Sequence, residues 1–464
     1  MTALYLALGL AAFSMAFVVF AWRMARANAA GIAVSRLGRV FELATLSLRL
    51  SVTSVRRRAL GVLVSKSKRD ARARELEERA ARDALTTMGN MKGVLMKLGQ
   101  IISFMDDTLP AAYRAELSKL QSNAPPMAWE LVEAQLRIEL GKDPHRVFKS
   151  IEETPMAAAS IGQVHRAVLE DGTRVAVKVQ YPGVDRAIAA DLDNYAMLSA
   201  MIEAVTPAMD AGPVVGELRA RFTDELDYTL EAESQERFRA IHGRDSDMLV
   251  PRVIRELSTR RVLVTELVEG AVGFEAFVTS ASLEERRRAG LAIHRFAFDS
   301  LYDHYLFNGD PHPGNYLFLP GGRVVFLDFG CVKRFEPSFV EDLRELNRLY
   351  LVGKKEAYHA KMVQMRYILP GVADKVTVDW LWEYMHYYYL PLLADADLLI
   401  TPEHCKQAIG AMFGPAMRKL NMPGDFVLLT RINFGLNSIQ ARLAVPENWR
   451  RASERYFFPE GQAA

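Results

Sequence analysis

Asp310 opens the run DPHPGN, which closes at Asn315, and thirteen residues further on Asp328 opens DFG. An aspartate, a nearby amide oxygen and a second aspartate after an apolar run can hold Mg²⁺, which takes hard oxygen ligands and keeps waters and substrate phosphates in its shell. The order D-x-x-x-x-N and then D-F-G is the order in which kinase sites supply a catalytic aspartate and their metal-holding residues. Each piece alone is weak, since DFG occurs by chance and DPHPGN also reads as a Pro/Gly turn. In sequence, at this spacing, they point to nucleotide chemistry. Upstream, VAVK puts Lys178 on a strand, the place for a lysine that meets α- and β-phosphates. Such a lysine needs a carboxylate partner, and FTDELDYTLEAESQERF (222–238) offers Glu225, Asp227 and Glu231 on what reads as one helix. Ala157, Ala158, Ala159 and Ser160 stand at the turn that would cover phosphates. Backbone N–H groups there can still reach an anion, although Cβ atoms hold the backbone further off than glycine would.

The elements that must position these residues are legible in the periodicity. A helical pattern starts at Trp129 and stops near Gly141, and SIGQVHRAVLEDGTRVAVKVQYP (160–182) alternates with period two around EDG, which predicts a hairpin. Helical patterns follow from Asp185 to about Arg239, interrupted over Thr206–Pro213, and RRVLVTELVEG (260–270) reads as another strand. After Leu283 the chain is helical up to the DPHPGN hairpin, VVFL leads into DFG as a short strand, and from Pro337 onward it is almost all helical, with breaks near Gly371, Pro402 and Pro423. Strands in the middle with helices on both sides predict an α+β body with a small sheet lobe and a larger helical lobe.

Of the 464 residues, half are apolar and a quarter charged, and the net charge of +2 argues against a polyanion such as nucleic acid as partner. The two cysteines, Cys331 and Cys405, indicate neither a disulfide framework nor a thiolate zinc site. Ala3 to Trp22 carry no charge and as a helix would rise about 30 Å, one hydrocarbon thickness. Only Met1 and Thr2 precede this span, so the positive n-region of a signal peptide is absent, although ANAA at 27–30 mimics a cleavage site. Arg23, Arg26, Arg36 and Arg39 follow it, which predicts a single-pass anchor with the rest of the chain in the cytoplasm, at the inner membrane if the source is bacterial. Residues 31–69 alternate apolar runs with arginines and read either as an amphipathic segment on an anionic leaflet or as a helix packed on the body. WLWEYMHYYYLPLL (380–393) reads as core of the helical lobe in preference to a lipid- or quinone-facing surface. His312 reads equally as a phosphate-orienting group and as a capped turn residue, and Cys331 as a small packing residue.

Four features together resemble the UbiB/AarF-type atypical kinase family: KLGQ at Lys97–Gln100, AAAS at Ala157–Ser160, ELDYTLEAE at Glu225–Glu233, and DPHPGN with DFG. They span about Lys92 to Lys333. The resemblance implies a protein-kinase-like two-lobed fold with an N-terminal helical extension. With the anchor this divides the chain into 1–22 (transmembrane helix), 23–70 (basic juxtamembrane segment), 71–150 (extension with the KxGQ motif), 151–269 (kinase-like N-lobe with a helical insertion) and 270–464 (helical C-lobe). It also implies that Lys178 binds the phosphates of ATP and pairs with Glu231, that Asp328 and Asn315 hold Mg²⁺, and that Asp310 sits at the position of the catalytic base. Glu266 to Val268 would be the hinge whose backbone meets adenine. Lys97 and Gln100 would belong to an extension folded over the active site, with Lys97 paired to Glu225 and Asp227 supporting that pair or the metal.

The implied function is Mg–ATP hydrolysis, or phosphorylation of something small or membrane-borne, in ubiquinone or related isoprenoid-lipid metabolism. Anionic membrane lipids, a quinone precursor or quinone-biosynthesis proteins would be its partners. Two rival readings stay in view: a conventional protein kinase and a nucleotide-sensing scaffold. Against the first, no HRD arginine precedes Asp310, where Asn308–Gly309 stand instead, and CVKRFEPSFVEDLRELN runs from DFG directly into a helix with no long activation segment or A-P-E.

Overall fold

Val175, Val177 and Val179 alternate with Ala176, Lys178 and Gln180, so one face of their strand is fully apolar and the other carries the lysine. In the computed structural model, which describes residues 127–159, 161–186, 188, 211–412, 419–421 and 423–459, the valines lie in the core of a five-stranded sheet. Helix α1 (Trp129–Leu140) covers that sheet with Val132 and Leu136, and Gly141 ends the helix in the left-handed conformation at φ 66°. The strands are β1 (Phe148–Ile151), β2 (Ala157–Ala159), β3 (Gly162–Leu169), β4 (Arg174–Gln180) and, after two helices and a short strand, β6 (Val262–Glu266). Their order is β1-β3-β4-β6, all antiparallel, with β2 folded back on β3. The predicted turn between β3 and β4 is present: Asp171 accepts the Thr173 N–H at 2.8 Å and Gly172 takes φ 87°.

The intervening helices are α2 (Ala211–Asp224) and α3 (Tyr228–His242), followed by β5 (Met248–Leu249). Residues 222–238, expected as one helix, form parts of two. The chain leaves the helix after Asp224, and Asp227 caps the next one, accepting the Thr229 N–H at 3.0 Å. Glu225 therefore sits in the break between two helices, and Glu231 on the first turn of the second.

The remaining elements form the helical lobe. Strand β7 (Val272–Gly273) leads into α4 (Phe274–Ser280), and α5 (Leu283–Tyr302) starts with a reciprocal cap between Ser282 and Glu285. Next come β8 (Leu306–Asn308), β9 (Tyr316–Leu319), β10 (Arg323–Phe326) and β11 (Val332–Arg334). A four-stranded sheet runs β5-β10-β9-β7, while β8 pairs with β11. Helices α6 (Pro337–Leu351), α7 (Lys355–Gln364), α8 (Val378–Leu393), α9 (Pro402–Met412), α10 (Gly424–Leu443) and α11 (Trp449–Phe457) complete the lobe. One side of the aromatic run on α8 is core: Tyr389 is fully buried and stacks at 3.9 Å on Tyr350 of α6, which also stacks on Trp382 at 4.0 Å, while Tyr387 is exposed.

The anchor at 1–22, the basic segment at 23–70, and Lys97, Gln100 and Ser160 lie outside the described residues. Among the described residues no helix is long and apolar enough to cross a membrane.

Candidate active site

Because β4 alternates, Lys178 points away from the valine core, toward α3 and the DFG turn. Its ammonium lies 2.6 Å from Glu231 Oε1 and 3.5 Å from Asp328 Oδ2. Lys178 is 15%, Glu231 4% and Asp328 31% exposed at the side chain, so this is a largely desolvated triad. Burial works against the Lys178 charge, but Asp328 and Glu231 outweigh it and hold the ammonium well above its usual pKa. Burial, and then the nearby Asp328 charge, raise the Glu231 carboxyl above its usual range despite the opposing pull of Lys178. Glu225 joins the same cluster: a methyl group on Gly330 would sit 3.3 Å from Asp328 Oδ1, 3.5 Å from Glu231 Oε2 and 3.7 Å from Glu225 Cγ.

Asp328 adopts φ 51°, a left-handed conformation that Asp and Asn tolerate, and its Oδ1 accepts the Gly330 N–H at 3.1 Å. Phe329 behind it is buried and packs on Phe238 of α3 at 5.2 Å and Phe296 of α5 at 6.4 Å. The DFG turn and the helix that carries Glu231 are thus fixed to each other through aromatic contact.

Asn308, two residues before the DPHPGN hairpin, ties it to this turn, and Asn315 braces the hairpin from within. Asn308 Nδ2 donates to the Asp328 carbonyl at 3.0 Å, and Asn315 Nδ2 donates to the Asp310 carbonyl at 2.9 Å and to Asp310 Oδ2 at 3.1 Å. Asn315 also accepts the Leu327 N–H through its main chain at 2.9 Å, next to the β9–β10 register pair Tyr316↔Phe326. With its NH₂ committed to Asp310, the group Asn315 retains for a cation is its amide oxygen. His312 accepts the Gly314 N–H through Nδ1 at 3.0 Å and serves as a turn cap.

Other predicted residues take different places. Asp227 is engaged locally: besides the Thr229 amide it accepts the Thr229 hydroxyl at 2.5 Å and faces Arg260 at 3.7 Å. Ala157, Ala158 and Ala159 are not the turn itself. They form β2, paired with Val164, Gln163 and Gly162, and the turn falls beyond them. The alanine backbone thereby trades conformational freedom for sheet pairing, so Ala158→Gly should loosen β2 and shift the affinity for ATP relative to ADP, measurable by calorimetry; unchanged affinities for both would make the hairpin a structural substitute only. In the expected hinge, the Glu266 N–H donates to the Arg252 carbonyl at 2.8 Å and the Leu267 N–H to the Arg174 carbonyl at 2.9 Å. The N–H groups of Glu266 and Leu267 are thus committed to neighbouring carbonyls, and their own carbonyls are a separate matter.

Sequence reading missed the residues that hold the hairpin from behind. Asn308 carries a weak local signal, an asparagine two residues before the aspartate. Gly435 carries none. It lies within α10, where a methyl group would sit 2.5 Å from Pro311 Cγ and 3.2 Å from the Pro311 carbonyl oxygen. Gly435→Ala is expected to push Pro311, and Asp310 with it, out of position, lowering ATP turnover by about 10-fold or more and stability by about 1–3 kcal/mol. Gly410→Ala on α9, where a methyl group meets nothing within 4 Å, is the control, expected to leave both nearly unchanged.

Comparison with known proteins gives concordant matches. The family model described as "ABC1 atypical kinase-like domain" matches residues 119–362. A protein of Caenorhabditis elegans named "Atypical kinase coq-8, mitochondrial" is 31% identical over 328 residues, covering 68% of this chain and 43% of that protein. An uncharacterized aarF domain-containing protein kinase of Arabidopsis thaliana, named as chloroplastic, is 36% identical over 285 residues, covering 61% of this chain and 40% of that protein. Across such curated relatives the chain spans 40% to 64% of their length. Among solved structures, the Mycobacterium tuberculosis protein Rv3197 in complex with erythromycin superposes with a TM-score of 0.61 at 31% identity, covering 83% of this chain and 98% of that one.

Proposed function

The chain belongs to the ABC1/AarF atypical kinase-like family, and from that premise we propose that it is a membrane-anchored enzyme that spends Mg–ATP on hydrolysis, or on phosphorylation of a small or membrane-borne acceptor, in ubiquinone or other isoprenoid-lipid metabolism. The observation that carries the reading is the triad of Lys178, Glu231 and Asp328 beside the DPHPGN hairpin. In this reading Glu231 holds the Lys178 ammonium charged and aimed, so that it meets the α- and β-phosphates of ATP. In the same reading Asp310, held by Asn315, orients or deprotonates the attacking hydroxyl or water.

Magnesium fits the residues present. Asp328 and Asn315 offer hard oxygen donors. That donor set suits an ion whose shell is completed by phosphate oxygens and water. When bound, Mg²⁺ supplies charge neutralisation at the β- and γ-phosphates. The uncharged Ala3–Trp22 span and the arginines after it support the anchor, with anionic lipids and a quinone precursor as partners.

A nucleotide-sensing scaffold is the second reading, favoured by the alanine strand β2 in place of a glycine loop. The deciding experiment is phosphate release by the full chain with Mg–ATP, in anionic and in neutral liposomes. Turnover that rises with anionic lipid supports the enzyme. Nucleotide binding with no turnover in any condition would overturn it in favour of the scaffold.

A further inference from the structure

Tyr228 is the first residue of α3 and is 1% exposed. The Lys178 ammonium lies over its ring, 5.0 Å from the centroid, so the ring helps to hold that charge. The hydroxyl is a different matter. It is closed off from solvent and has no hydrogen-bond partner. Yet the ring that carries it packs against Lys178, whose ammonium is held by Glu231 at 2.6 Å and Asp328 at 3.5 Å.

Buried hydroxyls are nearly always partnered, because stripping one of water without replacement is costly. Phenylalanine would supply the same ring and the same contact with Lys178 without that cost. The other polar side chains around the triad are engaged: Asn308 on Asp328, Asn315 on Asp310, Asp227 on Thr229. Burial, foremost, raises the phenol pKa above its usual value, so the group stays protonated and can donate. A donor beside an ammonium suits an anionic oxygen, which both can share.

We propose that Tyr228 is a further nucleotide-binding residue, its hydroxyl donating to the phosphate oxygen that Lys178 also meets. The assignment rests on the ATP-using reading above. It makes the hydroxyl a burden on the folded protein that is relieved only when nucleotide is bound.

The test uses Tyr228→Phe and Tyr228→Leu in the full chain, with ATP and Mg²⁺ as probes. Thermal midpoints, calorimetric ATP affinity and phosphate release are measured for each. Tyr228→Phe should melt at or above the wild-type temperature while ATP affinity falls about 10-fold or more. Tyr228→Leu, which also loses the ring, should melt lower and bind more weakly still. Wild-type affinity in Tyr228→Phe, or a lower melting temperature there, overturns the assignment alone. A wild-type chain that binds no nucleotide overturns the ATP-using reading and this assignment with it.

Discussion

Asp328→Asn should lower Mg–ATP-dependent phosphate release by at least about 10²-fold while leaving the protein folded. The backbone argument is specific to this substitution. Asp328 sits at φ 51°, which asparagine adopts nearly as readily as aspartate, and an asparagine oxygen can still accept the Gly330 N–H. Lys178 also keeps its closer partner, Glu231, at 2.6 Å. What is removed is one negative charge at the position proposed for the cation. Stability should change little, because losing that charge also relieves Glu231, whose carboxyl Asp328 helps to hold above its usual range. A melting temperature within about 3 °C of wild type, together with lost turnover, would assign the effect to chemistry. Full turnover in the variant would remove Asp328 from the mechanism.

The second large effect is expected at Glu231. Glu231→Gln keeps the size and an acceptor oxygen but gives up the charge that aims Lys178. The ammonium should then shift toward Asp328, now 3.5 Å away, and compete with the cation for its carboxylate. Turnover should fall about 10²-fold, with a higher Mg²⁺ concentration needed for half-maximal turnover as the measurable sign of that competition. The pH dependence follows from the shifts. Lys178 has its pKa raised by folding, so its stabilisation is present below its ordinary 10.5 and is lost as pH climbs through the higher folded value. Removing the Glu231 charge lowers that folded value, so the variant should begin to lose stability at a less alkaline pH than wild type. Identical alkaline melting profiles for the two proteins would mean that the pair does not hold the ammonium.

Much of the site could be read from the chain because it rests on local periodicity. The period-two alternation of β4 puts Lys178 on the face opposite Val177 and Val179 wherever the sheet is placed. The EDG turn, the Trp129 start and Gly141 stop of α1, and the Pro337 start of α6 are likewise set by residues within a few positions. Asp227 followed two residues later by Thr229 is a helix-start signal of the same kind, and on it the break after Asp224 was available to reading. The acids in 222–238 nevertheless read as one charged helix, because composition alone does not distinguish a cap from a surface carboxylate.

Sequence by itself determined the residue types, their order and the faces of the elements: DPHPGN before DFG, lysine on a strand, acids on a helical stretch. Only the tertiary structure decided how they meet. It put Glu225 beside Gly330 from a gap between helices, turned the alanines into a strand by pairing them with β3, and consumed the Glu266 amide in a bond to Arg252. It also set Gly435 against Pro311 and laid the Tyr228 ring beneath Lys178. Apart from the tight β2–β3 hairpin, these contacts join residues well separated in the chain, and their distances are fixed by the packing of helices and sheets on one another, a quantity that no short stretch of sequence encodes.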